Sequence, residues 1–67
     1  MTERFIYCVT SAFFDDGSTT ADIEAVRYTG AGLPETAFYC YENADVWQDY
    51  YNTLEEAEQA KKEALCA

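Results

Sequence analysis

The chain has no histidine, one proline, three glycines and only four bases among its 67 residues. Each shortage excludes something. Histidine is the commonest general acid–base at neutral pH, so its absence removes the usual route to hydrolytic or proton-transfer chemistry. Cysteine occurs as Cys8, Cys40 and Cys66, with no CxxC spacing. An odd count is a poor disulfide framework, and without histidine the thiols cannot complete a zinc set within one chain. The thiols fit a reducing compartment, with Cys8 and Cys40 expected as small buried apolar residues. The scarcity of proline and glycine leaves no linker, repeat or low-complexity tract, so residues 1–67 are read as one small domain. Long hydrophobic runs are also missing. The longest, Phe5 to Phe14, is too short to span a bilayer, lacks a basic flank and is broken by Thr10 and Ser11. The expectation is a cytoplasmic protein with no membrane partner.

The shortage of bases meets a surplus of acids. Thirteen Asp and Glu face four Lys and Arg, for a net charge of −9. Between Phe5 and Ala60 the only base is Arg27, against eleven acids. Such a surface repels nucleic acid and anionic membranes and attracts basic protein surfaces. High net charge also keeps a small protein soluble, whatever it binds. Disorder does not follow, because six tyrosines, four phenylalanines and Trp47 supply apolar bulk.

Local patterns give an α+β fold. Residues 4–14 are rich in β-branched and aromatic types and read as a strand. Asp15-Asp16-Gly17-Ser18 follows as a hairpin turn, since Asp-Gly supplies the positive φ that a tight turn needs. Residues 19–29 return as a second strand. The rival is a helix, with Thr19-x-x-Asp22 as a capping box and Gly30 as its end. Residues 30–36 are a loop. Ala37 to Glu42 is a third strand, Asn43-Ala44-Asp45 a turn, and Val46 to Tyr51 a fourth strand. Thr53-x-x-Glu56 is a capping box that opens a helix. Glu55 and Glu56 suit its positive end, Lys61 and Lys62 the other, and Glu58 with Lys62 is a favourable i,i+4 pair. Leu54, Ala57, Ala60, Ala64 and Leu65 form its apolar face. The expected architecture is a four-stranded antiparallel sheet of two hairpins with one C-terminal helix on one face.

A two- or four-residue first turn pairs Phe14 with Thr19, and that register fixes the faces. Ile6, Cys8, Thr10 and Ala12 then join Ala21, Ile23 and Ala25 on a face of small residues suited to the helix. Phe5, Tyr7 and Val9 join Val26, Tyr28, Asp22 and Glu24 on the other. A slip of one residue exchanges the faces. One helix covers one face, so the aromatic and acidic face is expected to pack on the long loop and a second subunit or to meet a partner.

Candidate chemistry is sparse. Acidic surroundings raise a thiol's pKa and disfavour a nucleophilic cysteine. Asp15 and Asp16 sit on a turn rather than in a cleft, and their spacing is not that of an EF-hand loop. No catalytic residue, cofactor or metal is expected. The candidate partner-binding residues are the carboxylates Asp22, Glu24, Glu42, Asp45 and Asp49, which would steer the chain to a basic surface, and Tyr7 and Tyr28, which would anchor it. Spaced carboxylates can imitate a row of phosphates.

Small size, acidity, many tyrosines and a sheet-plus-helix fold together resemble small phage-encoded anti-defence proteins of the anti-CRISPR and DNA-mimic type. The resemblance is one of class and carries no motif. It implies a stoichiometric, non-enzymatic inhibitor of a nuclease or nucleic-acid-binding effector in the host cytoplasm. The alternative is a structural or regulatory homo-oligomer, such as a homodimer, whose aromatic face closes on itself.

Overall fold

The computed structural model describes residues 3–66. The elements are β1 (Arg4–Phe14), β2 (Thr19–Tyr28), β3 (Ala37–Tyr41), β4 (Ala44–Tyr51) and α1 (Leu54–Cys66). The fold is α+β: one four-stranded antiparallel sheet and one C-terminal helix. Residues 19–28 are strand, not helix, because the hairpin turn presents them directly to β1. Strand order is β2-β1-β4-β3, so the two hairpins meet through β1 and β4, and β2 and β3 are the edges.

The first hairpin differs from expectation by one residue. Phe13, not Phe14, pairs with Thr19, and Ile6 pairs with Val26. The turn explains the slip. Gly17 N–H donates to the Phe14 carbonyl at 3.0 Å, and Phe14 N–H donates to the Ser18 carbonyl at 2.9 Å. Three residues therefore lie between Phe14 and Ser18, with Gly17 in the left-handed region at φ +93°. This is the three-residue hairpin loop, a type I turn closed by a glycine. An odd loop shifts the register by one and moves every β2 side chain to the other face relative to β1. The Asp16 carboxylate fixes the turn by accepting from Ser18 N–H at 2.8 Å and from the Ser18 hydroxyl at 2.6 Å. These two bonds, the hydroxyl first, hold the Asp16 carboxyl below its ordinary pKa.

The second hairpin is also tighter than expected. Tyr41 pairs with Ala44, leaving only Glu42 and Asn43 in the turn, and β4 begins at Ala44. The two turns lie side by side, with Asp15 N–H donating to the Asn43 carbonyl at 3.1 Å.

The corrected register puts Tyr7, Val9, Ser11 and Phe13 with Ala21, Ile23, Trp47, Asp49 and Tyr51 on the helix side. Ile6, Cys8, Thr10 and Ala12 lie on the far side with Val26, Glu24 and Asp22, against expectation. Thr53 caps α1 as its sequence implies: its hydroxyl accepts from Glu56 N–H at 3.2 Å and donates to the Glu56 carboxylate at 3.1 Å. Ala57 is fully buried, while Leu54 and Leu65 are exposed. The small alanine face lets α1 come close to the sheet, and its two leucines fall outside that contact. Lys61 and Lys62 stop short of the last turn, and Arg27–Glu3 at 3.8 Å is the one ion pair among the described residues. The expected Glu58–Lys62 pair therefore does not form.

Ile6 and Val9 are the largest fully buried side chains, one on each face of β1. The helix closes over Val9. The far face is closed at one end by the 29–36 loop, which must run from one sheet edge to the other. Arg4 donates to the Gly32 carbonyl, and its guanidinium lies 5.7 Å from the centre of the Tyr28 ring. Gly30 lies on that ring so closely that a Cβ would come within 2.6 Å of the Tyr28 hydroxyl. Thr36 then ties the loop to β4 by donating to Asp49 at 2.9 Å.

Candidate functional site

The helix rests on β2, β1 and part of β4 and does not reach β3. That offset leaves the β4–β3 half of the sheet bare. β3 reads Ala-Phe-Tyr-Cys-Tyr, and four of its five residues are exposed. Phe38 and Trp47 stack with ring centres 4.3 Å apart, yet remain 48 % and 40 % exposed. They share the helix-side face with Cys40 and Asp45. Tyr39 and Tyr41 occupy the other face and are exposed as well. The helix lies away from β3 and covers neither of its faces.

Between α1 and this bare half runs an open cleft of about 380 Å³. Phe13, Trp47 and Tyr51 supply aromatic surface, and Asp49 and Glu63 supply carboxylates. The cleft is electronegative. Burial first, and then the charges of Asp49, Glu63 and Glu56, push the Tyr51 hydroxyl above its ordinary pKa. Burial also raises Tyr50, which faces Cys8 on the far side. Aromatic rings beside carboxylates in a concave site suit a cationic side chain, which gains from both the ring faces and the opposite charge.

The residues singled out from sequence divide into separate places. Asp49 lies in the cleft, half-buried and tied to Thr36. Asp45 is exposed opposite Cys40, and Glu42 is in the adjoining turn. These three border the aromatic strand. Asp22 and Glu24 are exposed on the far face of β2, at the other edge of the sheet. Tyr7 and Tyr28, expected on one face, lie on opposite faces because of the register shift. Tyr7 is half-buried on the helix side beside Tyr51, and Tyr28 is half-buried under the loop at Gly30. Phe13, Phe38, Tyr39, Tyr41, Trp47 and Glu63 were not singled out. The uncharged run Phe38–Tyr41 was a signal for some of them, but its meaning depends on strand order.

Cys40 is exposed rather than buried, because β3 is an edge outside the helix footprint. Asp45 holds its thiol above the ordinary pKa, by hydrogen bonding first and charge second, and Asp15 across the paired turns adds to this. A thiol so held is a weak nucleophile at neutral pH. Among the described residues no group of three or more His, Cys, Asp or Glu is placed to hold a metal ion, and no helix is long and apolar enough to cross a membrane. Comparison with family models, with curated proteins and with solved structures finds no match to this chain.

Proposed function

We propose that this protein is a non-enzymatic acidic module that binds a basic protein surface in the cytoplasm, most specifically a phage-type anti-defence inhibitor that blocks the nucleic-acid-binding surface of a nuclease or similar effector. The observation that carries this is the cleft, where Asp49 and Glu63 face Phe13, Trp47 and Tyr51 beside a bare aromatic strand. Lys and Arg side chains that grip phosphates on the target would enter it. The net charge of −9 would speed the encounter at low salt.

Affinity capture followed by competition tests this. The tethered protein should retain a stoichiometric partner that is released by salt. Added protein should then displace nucleic acid from that partner, and Asp49→Lys with Glu63→Lys should abolish the displacement. A partner that keeps its nucleic acid at saturating inhibitor overturns the blocking role. A second reading, a homo-oligomer that closes on itself through its aromatic residues, is favoured by the exposure of Phe38, Tyr39, Tyr41 and Trp47. Light scattering decides it, since a monomer at high concentration removes it.

A further inference from the structure

β3 joins three properties that occur together nowhere else on the sheet. It is an edge, so alternate residues direct backbone N–H and C=O groups away from β4, and among the described residues no strand pairs with them. It carries no charge of its own. Its two faces differ: Tyr39 and Tyr41 make one side apolar, while the helix side combines Phe38 and Trp47 with Asp45 and, further along β4, Asp49.

We infer that β3 pairs with an extended segment of a partner protein in which basic and apolar residues alternate, extending the sheet to a fifth strand. This rests on the basic-partner reading above and specifies how the partner is held. Successive side chains of an added strand point to opposite faces. The apolar residues would then lie beside Tyr39 and Tyr41, and the basic residues on the side of Asp45, Asp49 and the cleft. Backbone pairing supplies affinity and the alternating side chains supply specificity. Charge selects this occupant over a second copy of the chain. Glu35, Glu42, Asp45 and Asp49 surround β3 and residues 28–60 hold no base, so two copies meeting at β3 would bring acidic surroundings together.

The probe is the capped peptide Lys-Val-Lys-Val-Lys-Val-Lys, followed by the fluorescence of Trp47, the one tryptophan of the chain. Its controls are the Glu-Val counterpart and the Lys-Val peptide N-methylated at every residue, which keeps the charge but has no backbone N–H to donate. We expect the Lys-Val peptide to bind, more weakly as salt rises, and the N-methylated peptide to bind about tenfold or more weakly. Phe38→Ala should weaken binding while the circular dichroism spectrum stays that of the folded protein. Equal binding of the N-methylated peptide overturns the strand addition but leaves an acidic site for basic side chains. Equal binding of the Glu-Val peptide, or no binding by either, overturns the basic-partner reading too. A dimer in light scattering that the peptide dissociates would make a second copy the occupant and overturn the inference.

Discussion

The two edges of the sheet are protected differently. β2 carries Asp22, Glu24 and Arg27 along its length, and α1 packs over its helix-side face. Charges on an edge and a helix over it are ordinary defences against unwanted strand pairing. β3 has neither; it offers aromatic side chains on both faces and lies outside the helix footprint. What guards it is the charge of its surroundings, with Glu35, Glu42, Asp45 and Asp49 in the loop, the turn and the neighbouring strand. Protection by charge is selective. Under the proposed reading it would repel acidic chains, including copies of this one, and admit basic ones. One half of the sheet is therefore covered by the helix and the other half is bare.

The largest test of that division sets a core residue against a bare one. Ile6 is fully buried and Phe38 is 48 % exposed. Ile6→Ala should cost about 2–5 kcal/mol, much of the stability of so small a domain. Phe38→Ala should cost about 1 kcal/mol, since half of the ring is already in water. Chemical denaturation followed by circular dichroism measures both, and similar costs would erase the distinction.

A smaller effect separates the two hairpins. Gly17 has φ +93° with open space where a Cβ would go, so Gly17→Ala should cost about 1–2 kcal/mol through the backbone alone. Among the described residues only Gly17 and Gly32 have positive φ, so the Glu42-Asn43 turn makes no such demand. Asn43→Ala should therefore change stability by no more than about 0.5 kcal/mol. Thermal melts of the two variants compare them directly.

The smallest effect concerns availability without binding. Cys8 is buried on β1 and Cys40 is exposed on β3, where Asp45 pushes the Cys40 thiol above its ordinary pKa. Asp45→Asn should lower the thiol's pKa toward its ordinary value and raise its alkylation rate at neutral pH. The pH profile of iodoacetamide labelling, read by mass spectrometry, should move to lower pH. An unmoved profile would mean that the carboxylate does not govern this edge.

Much of the fold could be read from short-range patterns. The Asp-Gly turn after Phe14 made residues 19–28 a strand although Thr19-x-x-Asp22 imitates a helix start, and Thr53-x-x-Glu56 located the helix. The register could not be read with the same security. Asp-Gly occurs in loops of two, three or four residues, and only odd or even length decides which side chains share a face. Tyr7 and Tyr28 were separated by that one residue. The exposure of Cys40 and Phe38 has a longer-range cause, since whether the five residues of β3 are covered depends on where the helix docks on the sheet.

The sequence by itself determined the element types, the helix cap and the excess of negative charge, because each depends on residues a few positions apart or on simple composition. Tertiary structure alone decided that β4 pairs with β1, that β3 is an edge, and that the helix stops short of it. Those outcomes depend on which distant segments bury the most apolar surface together. Here the alanine face of α1 fits closely over Val9 and Ala21, and the aromatic strand is left in water.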